Sequence, residues 1–115
     1  MNSLKIVVVG VVLAAFGWSQ APTVHITEAE LFSAVKSKVA AEYPPMAKQL
    51  KLQGAVVVTV TVGEDGQLES AEVSKGNPIL GAAAVAAVKK WKIAPVKVGG
   101  EVRRVSANVA FSFNL

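Results

Sequence analysis

The 115-residue chain contains no cysteine. That excludes disulfides, thiolate metal sites, a cysteine nucleophile and a lipid-modified cysteine. It has a single histidine, His25, too few soft ligands for a zinc site. Asp65 is the one aspartate, and it stands between Glu64 and Gly66 in a turn signal where a backbone role accounts for it. No nucleophile is paired with a base, and no two carboxylates suggest a cleft, so catalysis is not expected. Arginine is confined to Arg103 and Arg104, and the formal net charge is only +4. The lysines are scattered rather than interleaved with aromatics, so nucleic-acid binding is not expected either. The glycines follow no phosphate-cradling pattern, because Gly63 to Gly66 joins two strands instead of opening a helix. Nothing in the composition calls for a cofactor or a metal.

What is present begins with Lys5 followed by an unbroken apolar run, Ile6 to Phe16. Its length fits a signal-peptide core of about 7–15 residues and falls short of the ~20 that span a bilayer. Small residues at Gly17, Ser19 and Ala21 predict cleavage near Ser19 or Ala21, although Pro22 disfavours a cut directly after Ala21. Residues 1–21 are therefore read as a signal peptide and the protein as periplasmic. An uncleaved anchor, with the run extended through Trp18, is the alternative that would leave it on the inner membrane. A buried core helix is the third reading and fits the lysine-then-apolar order least well.

Residues 22–42 read as a linker and a first helix. Thr27 with Glu30 forms a capping box, and Leu31, Phe32, Val35 and Val39 recur at helical spacing up to Tyr43-Pro44. His25 reads as a linker residue. Pro45 opens a second short helix, Met46 to Lys51, that Gly54 closes. The period then changes to two. Val56, Val58, Val60 and Val62 share one face of a strand, Val57, Thr59 and Thr61 the other. Asp65-Gly66 predicts a hairpin turn, and Leu68 to Lys75 the returning strand, with Ala71 and Val73 inward. After Gly76-Asn77-Pro78 a helix over Ile79 to Lys92 carries the stripe Leu80, Ala84, Ala87, Val88 and Trp91. Trp91 on that stripe reads as core rather than as a stacking platform, and Pro95 ends the helix. Gly99-Gly100 marks a turn. In the last strand Val105, Ala107, Val109, Phe111, Phe113 and Leu115 face inward, and Ser106, Asn108, Ala110, Ser112 and Asn114 outward.

Elements with one apolar face each must stack. The expected fold is α+β, in the order α-α-β-β-α-β, with helices on one face of a three-stranded antiparallel sheet. Both outer strands of so small a sheet are edges, which proteins either cover or use.

At this point particular residues match a known family. Tyr43-Pro44-Pro45-Met46-Ala47, then Gly54 to Val58, Asp65-Gly66, Gly76-Asn77-Pro78, Ala87-Val88, Trp91 and Pro95 resemble the C-terminal domain of TonB over residues 43–115. The resemblance implies a periplasmic, non-catalytic domain that binds segments of outer-membrane TonB-dependent receptors, or of another envelope protein. It implies pairing of such a segment with the edge of the last strand, so that Ser106, Asn108, Ala110, Ser112 and Asn114 flank the partner. Tyr43, Pro44, Gly54, Asp65, Gly66, Trp91 and Pro95 are expected to hold the fold. Self-association of two copies through the same edge is the alternative. The chain departs from TonB before Tyr43. It has no intramembrane histidine and no long proline-rich spacer, and about twenty residues reach at most ~70 Å fully extended. Peptide binding is thus the expectation carried over, rather than coupling to an inner-membrane motor.

Overall fold

The computed structural model describes residues 22–115. The expected signal peptide lies outside the described residues. Among the described residues no helix is long and apolar enough to cross a membrane. Three strands form the antiparallel body: β3 (Gly54–Val62), β4 (Leu68–Lys75) and β8 (Val105–Phe113), with β3 in the middle. Every second residue of β3 is sealed, since Val56, Val58, Val60 and Val62 are all 0% exposed. Burying each contributes roughly 1.5–3 kcal/mol, so this one strand supplies much of the cohesion.

The hairpin between β3 and β4 closes as its sequence predicts. The Gly66 amide donates to the Gly63 carbonyl, and Asp65 Oδ1 accepts from the Gln67 amide at 2.9 Å. Gly66 has φ +85°, and a Cβ there would stand 2.8 Å from the Ile93 carbonyl oxygen and 3.0 Å from the Pro95 nitrogen. Only glycine meets both conditions.

Helix α3 (Pro78–Val88) lies over β3 and β4 and buries Leu80, Gly81, Ala84, Ala87 and Val88. Asn77 caps it, its Oδ1 accepting from the Ile79 amide at 2.8 Å, with Pro78 in the first turn. Approach to β4 is close: a Cβ on Gly81 would sit 2.5 Å from a methyl of Val73. The helix is shorter than expected. It stops at Val88, with Lys89 as C-cap, and Lys92–Ile93 is already a strand, β5. Pro95 therefore does not terminate it; Pro95 packs beside Gly66 instead.

The first helix, α1 (Glu28–Ala34), is also shorter than its pattern. The capping box is present: Glu30 N–H donates to Thr27 Oγ1 at 3.1 Å and Thr27 N–H to Glu30 Oε1 at 2.9 Å. Val35, however, leaves the helix to begin β2 (Val35–Ser37), which pairs antiparallel with β5. The Ala94 amide continues that ribbon to the Ala34 carbonyl at 2.8 Å. Leu31 is the helix's fully buried anchor.

Helix α2 (Pro45–Gln49) ends by a Schellman motif rather than at Gly54. The Leu52 amide bonds the Ala47 carbonyl and the Lys51 amide the Lys48 carbonyl, with Lys51 itself at φ +56°. Gly54 begins β3 instead. A two-stranded ribbon, β6 (Lys97–Val98) and β7 (Glu101–Val102), turns at Gly99-Gly100.

The last correction concerns the N-terminal segment. His25 is part of β1 (Val24–His25), which pairs in parallel with the start of β8, so the sheet order is β1-β8-β3-β4. Leu115 falls beyond β8 and is 61% exposed, although its amide donates to Gln53 Oε1 at 3.1 Å. Val73 lies opposite buried Val58 but is 38% exposed.

Candidate functional site

The sheet has two long flanks, and they are built differently. Pairing of β4 with β3 is interrupted twice, where Ser74 and Glu69 interrupt the register. β4 also carries Glu69, Glu72 and Lys75, and bulges and charges are the devices by which proteins discourage strand addition. β8 is the opposite case. Its residues 105–113 pair one for one with Val62 to Gly54 without interruption, and no charged side chain occurs from Val105 to Leu115.

Backbone direction on β8 follows from one bond. The Ser106 carbonyl accepts from the Ile26 amide at 2.9 Å, so residue 106 points away from β3. Because direction alternates along a strand, Asn108, Ala110 and Ser112 present their N–H and C=O groups on that same side. Past Ser106 no described strand pairs there.

Beside this free stretch runs a groove. One wall is Glu28 and Phe32 of α1 with Lys38, Val39 and Tyr43; the other is β8 from Val109 to Phe113 with Asn114 just beyond it, and Trp91 also lines the groove. The aromatics of the lining fall into two contacting groups. Trp91 meets Phe32 edge-on at 5.8 Å and Phe111 at 6.1 Å, and Tyr43 meets Phe113 edge-on at 5.6 Å. Lys38 Nζ stands 4.1 Å over the Phe32 ring. The polar handles of the large rings are used within the wall: Trp91 Nε1 donates to the Val39 carbonyl at 2.9 Å, and Tyr43 Oη donates to the Leu52 carbonyl.

The five residues expected to flank a partner are thus distributed. Ala110, Ser112 and Asn114 line the groove. Asn108 is exposed and its Oδ1 accepts from Thr59 Oγ1 at 2.8 Å on the open face of the sheet. Ser106 is 6% exposed and its carbonyl is occupied by the N-terminal segment. The opposing wall, above all Phe32 and Val39, was expected on a helix stripe and not at a groove. The signal for it was the same apolar spacing, which cannot say whether the covered surface is core or cleft. Of the residues expected to hold the fold, Trp91 is 8% exposed, Pro44 extends the chain into α2 at φ −64°, ψ 140°, and Pro95 fills the space that a side chain at Gly66 would need. Among the described residues no cluster of three or more His, Cys, Asp or Glu could hold a metal ion.

Comparison with known proteins agrees with this architecture. No curated protein matches the chain. Among solved structures, the solution NMR structure of the Pseudomonas aeruginosa TonB C-terminal domain is similar, with 28% sequence identity and a TM-score of 0.55. The match covers 72% of this chain and 88% of that one. The family described as Gram-negative bacterial TonB protein C-terminal matches residues 39–115. That span holds all three long strands, helix α3 and one whole flank of the groove, and the chain belongs to the TonB C-terminal domain family.

Proposed function

We infer that this chain is a non-catalytic docking module of the periplasm that takes up an extended segment of an outer-membrane receptor, or of another envelope protein, as an added strand along β8. The observation that carries this is the difference between the two flanks. β4 is bulged and charged, whereas β8 is regular, uncharged and bordered by an aromatic groove. An added strand gains affinity from the backbone groups of Asn108, Ala110 and Ser112 and selectivity from side chains that alternate into the groove. The family membership supports the same reading.

The test is titration of peptides cut from periplasmic segments of outer-membrane receptors of the same bacterium. Ala110→Pro removes the outward N–H at the middle of the edge and is the matched control. Binding by the unaltered protein, weakened at least tenfold in the proline variant, supports the reading. Equal binding by both places the partner elsewhere.

A second reading, self-association, draws on the same uncharged edge, because an unprotected edge also accepts a second copy of its own chain. Sedimentation over a concentration series separates the two. A monomer at high concentration removes self-association, and a dimer abolished by Ser112→Lys establishes it.

A further inference from the structure

We propose that the segment Pro22–Ile26 is a built-in end stop that occupies the first ladder positions of the docking edge and so fixes the length and register of any strand added to it. This rests on the docking reading of β8 given above. The Val24 amide donates to the Arg104 carbonyl and the Ile26 amide to the Ser106 carbonyl, both at 2.9 Å. Val24 lies opposite Val105 and His25 opposite Ser106, in parallel. The segment therefore makes, within its own chain, the contacts that an incoming strand makes farther along. It cannot continue along β8, because Thr27 caps α1 and the chain turns into the helix there. Leu31, one turn into α1 and 0% exposed, anchors the arm from behind. Only Ala107 to Phe113 is left open, about 23 Å of strand at about 3.3 Å per residue. Such a length suits a partner segment of about five to seven residues, and a longer one must displace the arm before it can zip further.

The full-length chain is compared with a Val24→Pro, Ile26→Pro double variant, which removes both donated bonds. The probes are receptor-derived peptides of five and of nine residues, with amide hydrogen exchange read in parallel. With Val58 and Val109 still protected, showing an intact β3–β8 ladder, the Ser106 amide is expected to exchange faster in the variant. Nine-residue peptides are expected to bind the variant about tenfold more tightly than the unaltered chain, as two freed backbone positions allow. Five-residue peptides are expected to bind both alike. Should the nine-residue peptides bind both forms equally, the end stop is overturned while the docking reading stands. Should no peptide bind either form, the docking reading falls and the end stop with it. If Val58 and Val109 lose protection in the double variant, Val24→Pro alone replaces it and the same comparison decides.

Discussion

The indole Nε1 of Trp91 donates to the carbonyl oxygen of Val39, 52 residues earlier, at 2.9 Å. One side chain thereby fills the core behind α3 and fixes the backbone that walls the groove. Trp91→Phe keeps an aromatic plug but removes the donor and part of the volume. We expect a loss of about 1–3 kcal/mol in urea unfolding, from the unsatisfied Val39 carbonyl and the smaller ring. The denaturant slope should stay unchanged, because the surface exposed on unfolding is nearly the same.

Two glycine substitutions separate conformational strain from steric contact. At Gly66 a Cβ meets backbone atoms of Ile93 and Pro95 and φ is +85°, whereas at Gly99 φ is +64° with nothing within 4 Å. Gly99→Ala should cost only the positive-φ penalty, about 1 kcal/mol. Gly66→Ala should cost more than twice that, since backbone cannot swing aside as a side chain can. Thermal or urea melts of the two variants check the ratio, and equal costs would remove the steric argument.

Lys51 offers a prediction of the opposite sign. It occupies a left-handed position, φ +56°, at the Schellman end of α2 where glycine is the usual residue. Lys51→Gly should stabilise the protein by about 0.5–1 kcal/mol, read as a higher urea midpoint. A lower midpoint would show that the lysine side chain makes an offsetting contact.

Adjacent prolines on β8 should behave in opposite ways. The groups of Ala110 face the free edge, and those of Val109 bond β3 opposite Val58. Ala110→Pro should leave a cooperative fold, whereas Val109→Pro should lower stability by about 3 kcal/mol or more by deleting an interior ladder bond. Circular dichroism melts of the pair decide it, and two equally unstable variants would show that the edge is not free.

Where the local period was unambiguous, the elements were legible in the chain itself. The alternating valines of β3, the Asp65-Gly66 turn and the span Leu68 to Lys75 came out as expected. The helix ends did not, for an identifiable reason. Val35 and Val39 sit on an i, i+4 lattice and equally on an i, i+2 lattice, so spacing cannot choose between helix and strand. The choice is made by β5, more than fifty residues away, and a partner at that distance leaves no local trace. β1 is the extreme case: two residues, whose strand partner lies some eighty residues later. The candidate groove was legible in part. Alternation along the last strand grouped Ala110, Ser112 and Asn114, which line it, while the covering of Ser106 depended on β1.

The uninterrupted register between β8 and β3 also bears on how the sheet would respond to force along its strands. A strand lying along Ala107 to Phe113 meets outward groups at three positions only, Asn108, Ala110 and Ser112, whereas β8 turns its groups toward β3 at five, Val105, Ala107, Val109, Phe111 and Phe113. When tension is applied along the strand direction, the bonds on each side are loaded together and the shorter set yields first. For a segment docked as proposed, the joint would thus be the mechanical fuse, and pulling would detach the partner while the domain that held it stays folded.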